Sequence, residues 1–403
     1  MKIRATGRSG LRRSRLAAVV GAVALVSGVV AGTVQAAPVT TTPSTTAPST
    51  SAAPPAAKPA GQALTEQDLV DTINADGKAK AVAESGSASG SSSGSASSSA
   101  SDTVGYGPEM TAWTAAYVHG LSNPNVAPPG TNDWKCKPTA AHPRPVIAVH
   151  GTFLSAYNTY AYMSKPIKDA GFCVFTFNYG KSDLLQGGGI GALLPGTYGT
   201  GDIPTSAKQL GIFVDRVLAA TGASKVDLIG HSQGGSMSSY YTKYENGASK
   251  VQNLIALGAT FHGTDLDGIA GLGRAINNIG IDVLGIAQLL VGQSGIQQTI
   301  GSDFIKKLNA NGDTVSGIEY TVIGTRNDEI TTPWDSTFLK AGPGATVHNI
   351  TLQDGCGDDG SDHLTMMYSP RALSIVLRAL DPAANPNLKC TFNPWLIGGG
   401  GRL

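Results

Sequence analysis

Short apolar runs alternate with amphipathic stretches through the C-terminal three-quarters of the chain. Pro145 to Val149, Phe172 to Phe177, Val226 to Ile229, Val251 to Leu257, Tyr320 to Ile323 and His348 to Leu352 are the apolar runs. They are too short for helices, and most are apolar at consecutive positions, as in strands covered on both faces. Between them, Tyr160 to Ala170 (ended by Gly171), Ser206 to Ala220 (ending near Gly222), Ser236 to Glu245 and Arg371 to Leu380 have helical spacing. Strands alternating with helices predict βαβ units and a mainly parallel central sheet with helices on both faces. No internal repeat is visible. The sheet-forming part runs from about residue 102 to 403, one domain by the usual size of domains.

The N-terminal quarter reads differently. Lys2, Arg4, Arg8, Arg12, Arg13 and Arg15 precede an apolar run from Leu16 to Val34, and Val34-Gln35-Ala36-Ala37 offers small residues for cleavage. This is the pattern of a signal peptide over 1–36. An uncleaved anchor is the rival reading, and a twin-arginine route stays open. Removing those six cations takes the formal net charge from +1 to −5. The remaining chain has no basic face for nucleic acid. Residues 38–60 and 84–101 are low-complexity Thr/Ser/Pro/Ala and Ser/Gly/Ala. They cannot bury enough apolar surface to offset chain entropy, so 37–101 is expected to be a spacer, with cell-wall association as one use for it.

Four cysteines, Cys136, Cys173, Cys356 and Cys390, permit three pairings. In an exported chain they point to disulfides, and the local closures Cys136–Cys173 and Cys356–Cys390 are favoured. No Cys-x-x-Cys spacing suggests zinc. Asp354, Asp358, Asp359 and Asp362 crowd one loop, but without EF-hand spacing they read as a solvated acidic loop rather than a calcium site. No cofactor or metal is expected.

The candidate chemistry begins at Gly230-His231-Ser232-Gln233-Gly234, directly after the Val226 to Ile229 strand. A serine in G-x-S-x-G spacing between a strand and a helix is a nucleophile elbow. A serine hydroxyl needs a base, and the base an orienting carboxylate. In this arrangement the order along the chain is serine, acid, histidine. Asp328 lies just beyond the end of the Thr321 to Thr325 strand, with Glu329 and Asp335 as nearby alternatives. His363 follows the last strand, the only one of seven histidines late enough in the chain. His119, His142, His150, His262 and His348 fall outside that order, and His231 in the elbow is expected to point elsewhere. The oxyanion that forms on the ester carbonyl needs backbone N–H donors. Gln233, after the serine, is one candidate. Thr152, in the His150-Gly151-Thr152-Phe153 loop after the first strand, is the other.

Taken together, Val149-His150-Gly151-Thr152-Phe153, Gly230-His231-Ser232-Gln233-Gly234, Gly324 through Pro333 and Asp362-His363-Leu364 resemble the secreted triacylglycerol lipases and esterases of actinobacteria, of the lipase class 2 kind. The stretch around Asp328 also resembles the acid loop of fungal lipase B enzymes. The resemblance covers about residues 104–390. It implies an α/β-hydrolase fold, carboxylic-ester hydrolysis through Ser232, Asp328 and His363, oxyanion donors at Thr152 and Gln233, and two disulfides. The long Ser/Gly spacer lies outside the shared motifs. Gly263 to Gln298 is strongly apolar with few charges. It reads either as helices buried on the sheet or as an apolar cap over the serine that would suit acyl chains. A monomeric serine hydrolase acting on lipid or other ester substrates, in some cases at a lipid–water interface, is the resulting expectation. Acyl transfer or polyester depolymerisation at the same site, and a non-catalytic cell-wall binding protein, are the alternatives.

Overall fold

The computed structural model describes residues 102–183, 187–265, 268 and 287–395. The expected signal segment and spacer, and 266, 267 and 269–286 of the apolar stretch, lie outside the described residues.

Six strands, β1 (Val146–Val149), β2 (Val174–Thr176), β3 (Val226–His231), β4 (Val251–Leu257), β5 (Glu319–Gly324) and β6 (Thr346–Thr351), form one sheet in the order β2-β1-β3-β4-β5-β6. Every neighbouring pair is parallel. The described α-helices are α1 (Trp113–Ser122), α2 (Ala156–Tyr160), α3 (Ser164–Asp169), α4 (Ile203–Thr221), α5 (Gln233–Tyr244), α6 (Ala287–Gln297), α7 (Asp303–Asn309) and α8 (Pro370–Leu380).

The consecutive apolar residues of the strands divide by parity into two cores, because successive side chains point to opposite faces of a sheet. Val146 and Ala148 of β1, Ile229 of β3, and Ile255 and Leu257 of β4 meet α1, α2, α3 and α8 on one face. Ile147 and Val149, Val226 and Leu228, and Leu254 and Ala256 meet α4, α5 and α7 on the other. A sheet buried on both faces is why its strands read as unbroken apolar runs rather than as alternation.

Two differences from the sequence expectations have physical causes. The helix expected over Tyr160 to Ala170 is split into α2 and α3. Pro166 has no N–H to donate to the preceding turn, so the chain restarts its helix at Ser164, where proline falls in the first turn. Helix α4 begins at Ile203, ahead of the expected start, because Asp202 accepts from the Thr205 N–H at 2.8 Å and caps it. Helix α6 is interrupted at Gly292, whose φ of 57° is not helical. Cys136 is bonded to Cys173 and Cys356 to Cys390, 37 and 34 residues apart.

The strand order sets where a site can form. From β1 the chain crosses first to β2 on one side and then to β3 on the other, so the connections diverge at the carboxyl ends of β1 and β3 and open a crevice there. The Tyr160 hydroxyl sits at that divergence, 3.0 Å from Val149 O and 2.7 Å from Ile229 O. Tyr160→Phe is expected to lower stability by about 1–2 kcal/mol, since it leaves two buried carbonyls short of their donor. Urea denaturation measures this, and an unchanged midpoint would mean that the hydroxyl does not hold these strands together.

Candidate active site

Helix α5 starts at Gln233, one residue after Ser232 and two after the end of β3. The reversal is made at Ser232, with φ 54° and ψ −126°, a backbone region that costs a side-chain-bearing residue about 1–3 kcal/mol. Its flanks explain why it is tolerated. A Cβ on Gly234 would lie 2.3 Å from Val149 O, and one on Gly230 would lie 2.6 Å from the Gly234 carbonyl carbon. Both obstacles are backbone, so only glycine lets helix, elbow and sheet approach this closely. The loop after β1 lies against the serine, since a Cβ on Gly151 would be 3.0 Å from Ser232 Cβ.

The structure brings Asp328 and His363 together. His363 Nδ1 is 3.0 and 2.9 Å from the two Asp328 carboxylate oxygens. The carboxylate can only accept, so Nδ1 carries the proton and Nε2 is left as the basic nitrogen. Asp328 is itself fixed by the N–H groups of Ile330 and Thr331, at 3.0 and 2.7 Å.

Glu329, the alternative acid, makes no hydrogen bond to the imidazole. Neither of its carboxyl oxygens has a hydrogen-bond partner among the described residues. Burial, reinforced by the charges of Asp362 and Asp328, pushes its pKa up to about 10; nearby N–H groups of Glu329 and His363 only partly oppose this. It is a neutral acid at pH 7.

His231 does not point away from the site, as its elbow position had suggested. Its Nε2 donates to the His363 carbonyl oxygen at 2.9 Å, and the two rings lie 4.9 Å apart. The elbow therefore holds the backbone of the imidazole-bearing residue directly. Burial, together with His363 and His150, holds the His231 pKa well below the usual value, so it remains neutral.

His150 acts on the loop that carries Thr152. Its ring is stacked on Tyr179 at 4.1 Å. Nε2 accepts from the Tyr179 N–H at 3.2 Å and Nδ1 donates to Gly151 O at 2.9 Å. Burial lowers its pKa to about 3, which preserves this donor pattern at any working pH. A peptide plane places its C=O and the following N–H on opposite sides. Fixing the Gly151 carbonyl therefore aims the Thr152 N–H the other way. Among the described residues, neither the Thr152 nor the Gln233 N–H has a protein acceptor, and Gln233 sits at the first turn of α5, where N–H groups are free.

The side chains at these two positions matter more than their backbone roles suggest. The Thr152 hydroxyl oxygen accepts from Gln233 Nε2 at 3.1 Å and from Gln298 Nε2 at 2.8 Å. Gln298 lies in the apolar Gly263 to Gln298 stretch, and nothing in its local sequence distinguishes it. Among the described residues no group of three or more His, Cys, Asp or Glu is placed to hold a metal ion.

A parallel sheet wound on both sides, with a strained serine at the end of its central strand, defines the class: the chain has the α/β-hydrolase fold. Residues 144–274 match the family described as alpha/beta hydrolase fold. Among solved structures it is similar to lipase B of Aspergillus fumigatus, at 22% identity and a TM-score of 0.48, over 64% of this chain and 56% of that one. The chain thus spans little more than half the length of that protein. It is also similar to the mature form of lipase BlEst2 from Bacillus licheniformis, at 15% identity and a TM-score of 0.40, over 60% of this chain and 94% of that one. A third likeness is to the α/β-hydrolase MGS-MChE2 from a lagoon-sediment metagenome, at 19% identity and a TM-score of 0.36, over 60% and 90% of the two chains.

Glu329 supplies a pH test. Its native pKa is raised from 4.5 to about 10, so the folded state holds a proton that the unfolded state releases. Its contribution is fully present below the unfolded pKa and is lost as pH rises toward the folded one. Glu329→Gln is therefore expected to gain stability relative to wild type as pH rises from about 5 to 9, by up to about 1.4 kcal/mol per unit. Denaturation midpoints of both proteins across that range measure the gap, and a constant gap would show that Glu329 ionises normally.

Proposed function

We propose that the chain is an exported serine hydrolase that cleaves carboxylic esters, with acylglycerols and other lipid esters as its substrate class. The observation that carries this reading is the pairing of His363 Nδ1 with the Asp328 carboxylate at 2.9 Å, at the same sheet edge as a serine forced to φ 54°. A buried imidazole with its proton fixed on Nδ1 has no evident structural use beside such an elbow. It is what a hydroxyl nucleophile needs.

In this reading Ser232 Oγ attacks the ester carbonyl while His363 Nε2 takes its proton. Asp328 orients the imidazole and balances the imidazolium. The imidazolium then protonates the departing alkoxide, which leaves an acyl-enzyme. Water, deprotonated by the same nitrogen, attacks the acyl carbon, and Ser232 regains its proton as the acid departs. Negative charge on the carbonyl oxygen is met by the N–H groups of Thr152 and Gln233 and by the Thr152 hydroxyl. The apolar Gly263 to Gln298 stretch is suited to line the acyl side. Export is supported by the basic and apolar leader over 1–36 and by two disulfides, which persist in oxidising compartments. No described helix is long and apolar enough to cross a membrane. Residues 37–101 act as a spacer, and the protein works as a monomer.

p-Nitrophenyl esters from acetyl to palmitoyl test the reading. Wild type is expected to hydrolyse them, and Ser232→Ala and Asp328→Asn to lower kcat by about 10⁴-fold or more. A preference for short chains would narrow the assignment to an esterase. An inactive wild type, or an active Ser232→Ala, would overturn it.

A further inference from the structure

The proton of the Thr152 hydroxyl has a determined direction. A hydroxyl oxygen has two lone pairs and one proton, and both lone pairs of this one are engaged, by Gln233 Nε2 and Gln298 Nε2. Its proton meets no protein acceptor among the described residues.

The two amides cannot be reversed. Gln298 Nε2 also donates to Ser294 O at 3.0 Å, and Gln233 Nε2 to Gly199 O at 3.1 Å. A carbonyl only accepts, so turning either amide would press oxygen against oxygen. With Gln298 so oriented, its Oε1 accepts the Thr260 hydroxyl proton at 2.9 Å. Thr260 has no second proton to give, and the hydroxyl of Ser236, 3.0 Å from Thr260 Oγ1, donates to the Gln233 carbonyl oxygen at 3.1 Å. Thr260, Gln298 and Thr152 are all buried, so bulk water does not compete for these groups.

We propose that Gln298 is a positioning residue for the oxyanion site. It relays a one-way chain of hydrogen bonds, Thr260 to Gln298 to Thr152, that leaves the Thr152 hydroxyl proton aimed at the carbonyl oxygen of a bound ester. This deepens the ester-hydrolase reading and rests on it. Each donation in the chain polarises the next, so a hydroxyl that accepts at this end is a better donor than an isolated one. The relay also spans three separate segments: the loop after β1, the loop after β4 and the turn after α6. The segment beside the expected acyl wall is thereby coupled to the oxyanion donor without touching the reacting atoms.

The test is a double-mutant cycle on p-nitrophenyl butyrate hydrolysis, with inhibition by an alkylboronic acid, whose tetrahedral serine adduct resembles the transition state. Thr152→Val is expected to lower kcat about 10²-fold, and Thr152→Ser, which restores the hydroxyl, to recover most of that loss. Gln298→Met, which keeps the volume but not the amide, is expected to lower kcat about tenfold with KM nearly unchanged, and to weaken the boronate by a similar factor. In the Thr152→Val background the same change is expected to cost less than about twofold, because there is no hydroxyl left to aim.

Gln298→Glu provides an independent arm should the methionine variant fold poorly. Its ionised carboxylate would attract the Thr152 proton away from the substrate, whereas its protonated form can donate as the amide does. Its activity relative to wild type is therefore expected to fall as pH rises. Equal cost of Gln298→Met in both backgrounds, or a Gln298→Glu ratio flat across pH, would overturn the relay while leaving the Ser232 reading intact. An active Ser232→Ala would overturn both.

Discussion

The close approach of helix α5 to the end of β1 is the constraint on which the rest of the site depends. β1 and β3 are paired through Val149 and Gly230, and the chain must leave β3 for a helix whose second residue is already against the Val149 carbonyl. No ordinary turn fits in that space. The reversal falls on one residue, Ser232, which takes a positive φ. The steric condition that raises Ser232 also places the first N–H groups of α5 beside it. Because β1 ends at the same level, the loop carrying Thr152 emerges within reach. Two of the groups the proposed chemistry requires thus follow from one packing contact.

The second feature of the site is that the groups around its Asp328–His363 pair, His150, His231 and Glu329, are held toward their neutral forms. Burial disfavours charge on His150 and His231, and it pushes the Glu329 carboxyl up to about 10. Each histidine has one nitrogen committed to a carbonyl, which fixes its tautomer. Charged groups in these places would carry a large desolvation cost and would compete with the Asp328–His363 pair. Neutral groups with fixed proton positions aim donors without adding fields of their own. Preorganised dipoles of this kind need no rearrangement as charge develops on a substrate oxygen.

Much of this architecture is legible in the sequence, for reasons that also mark the limit. The strands are readable because burial on both faces leaves unbroken apolar runs such as Val146 to Val149. β6 is less so: its residues are largely exposed at the sheet edge, and the pattern places it two residues late. Ser232, Asp328 and His363 stand out by order along the chain and by their positions after strands. Tyr160, His231 and Gln298 do not. Their roles depend on contacts 69, 132 and 146 residues away in sequence, and an isolated Tyr, His or Gln gives no local sign of its partner. The neutrality of Glu329 is likewise a property of its surroundings and not of its neighbours in sequence.

The two halves of the site reach their precision by different physical routes. The serine is placed by repulsion, through backbone contacts that leave a single conformation. The imidazole sits on a loop after β6 with no regular structure to stiffen it, and it is placed by cross-links instead. The Cys356–Cys390 disulfide ties the start of that loop to the C-terminal tail. Asn393 in the same tail donates to Ser361 Oγ at 2.9 Å and Thr365 O at 3.1 Å, and its carbonyl accepts from the Gly360 N–H at 3.0 Å. Arg371 Nε holds the Leu352 carbonyl at the loop's root at 2.6 Å. The bond from His231 to the His363 carbonyl joins the two systems. Together with the Asp328–His363 pair and the bond from the Thr325 hydroxyl to the Ser361 carbonyl, it ties the His363 loop to the ends of β3 and β5 directly rather than through the tail alone.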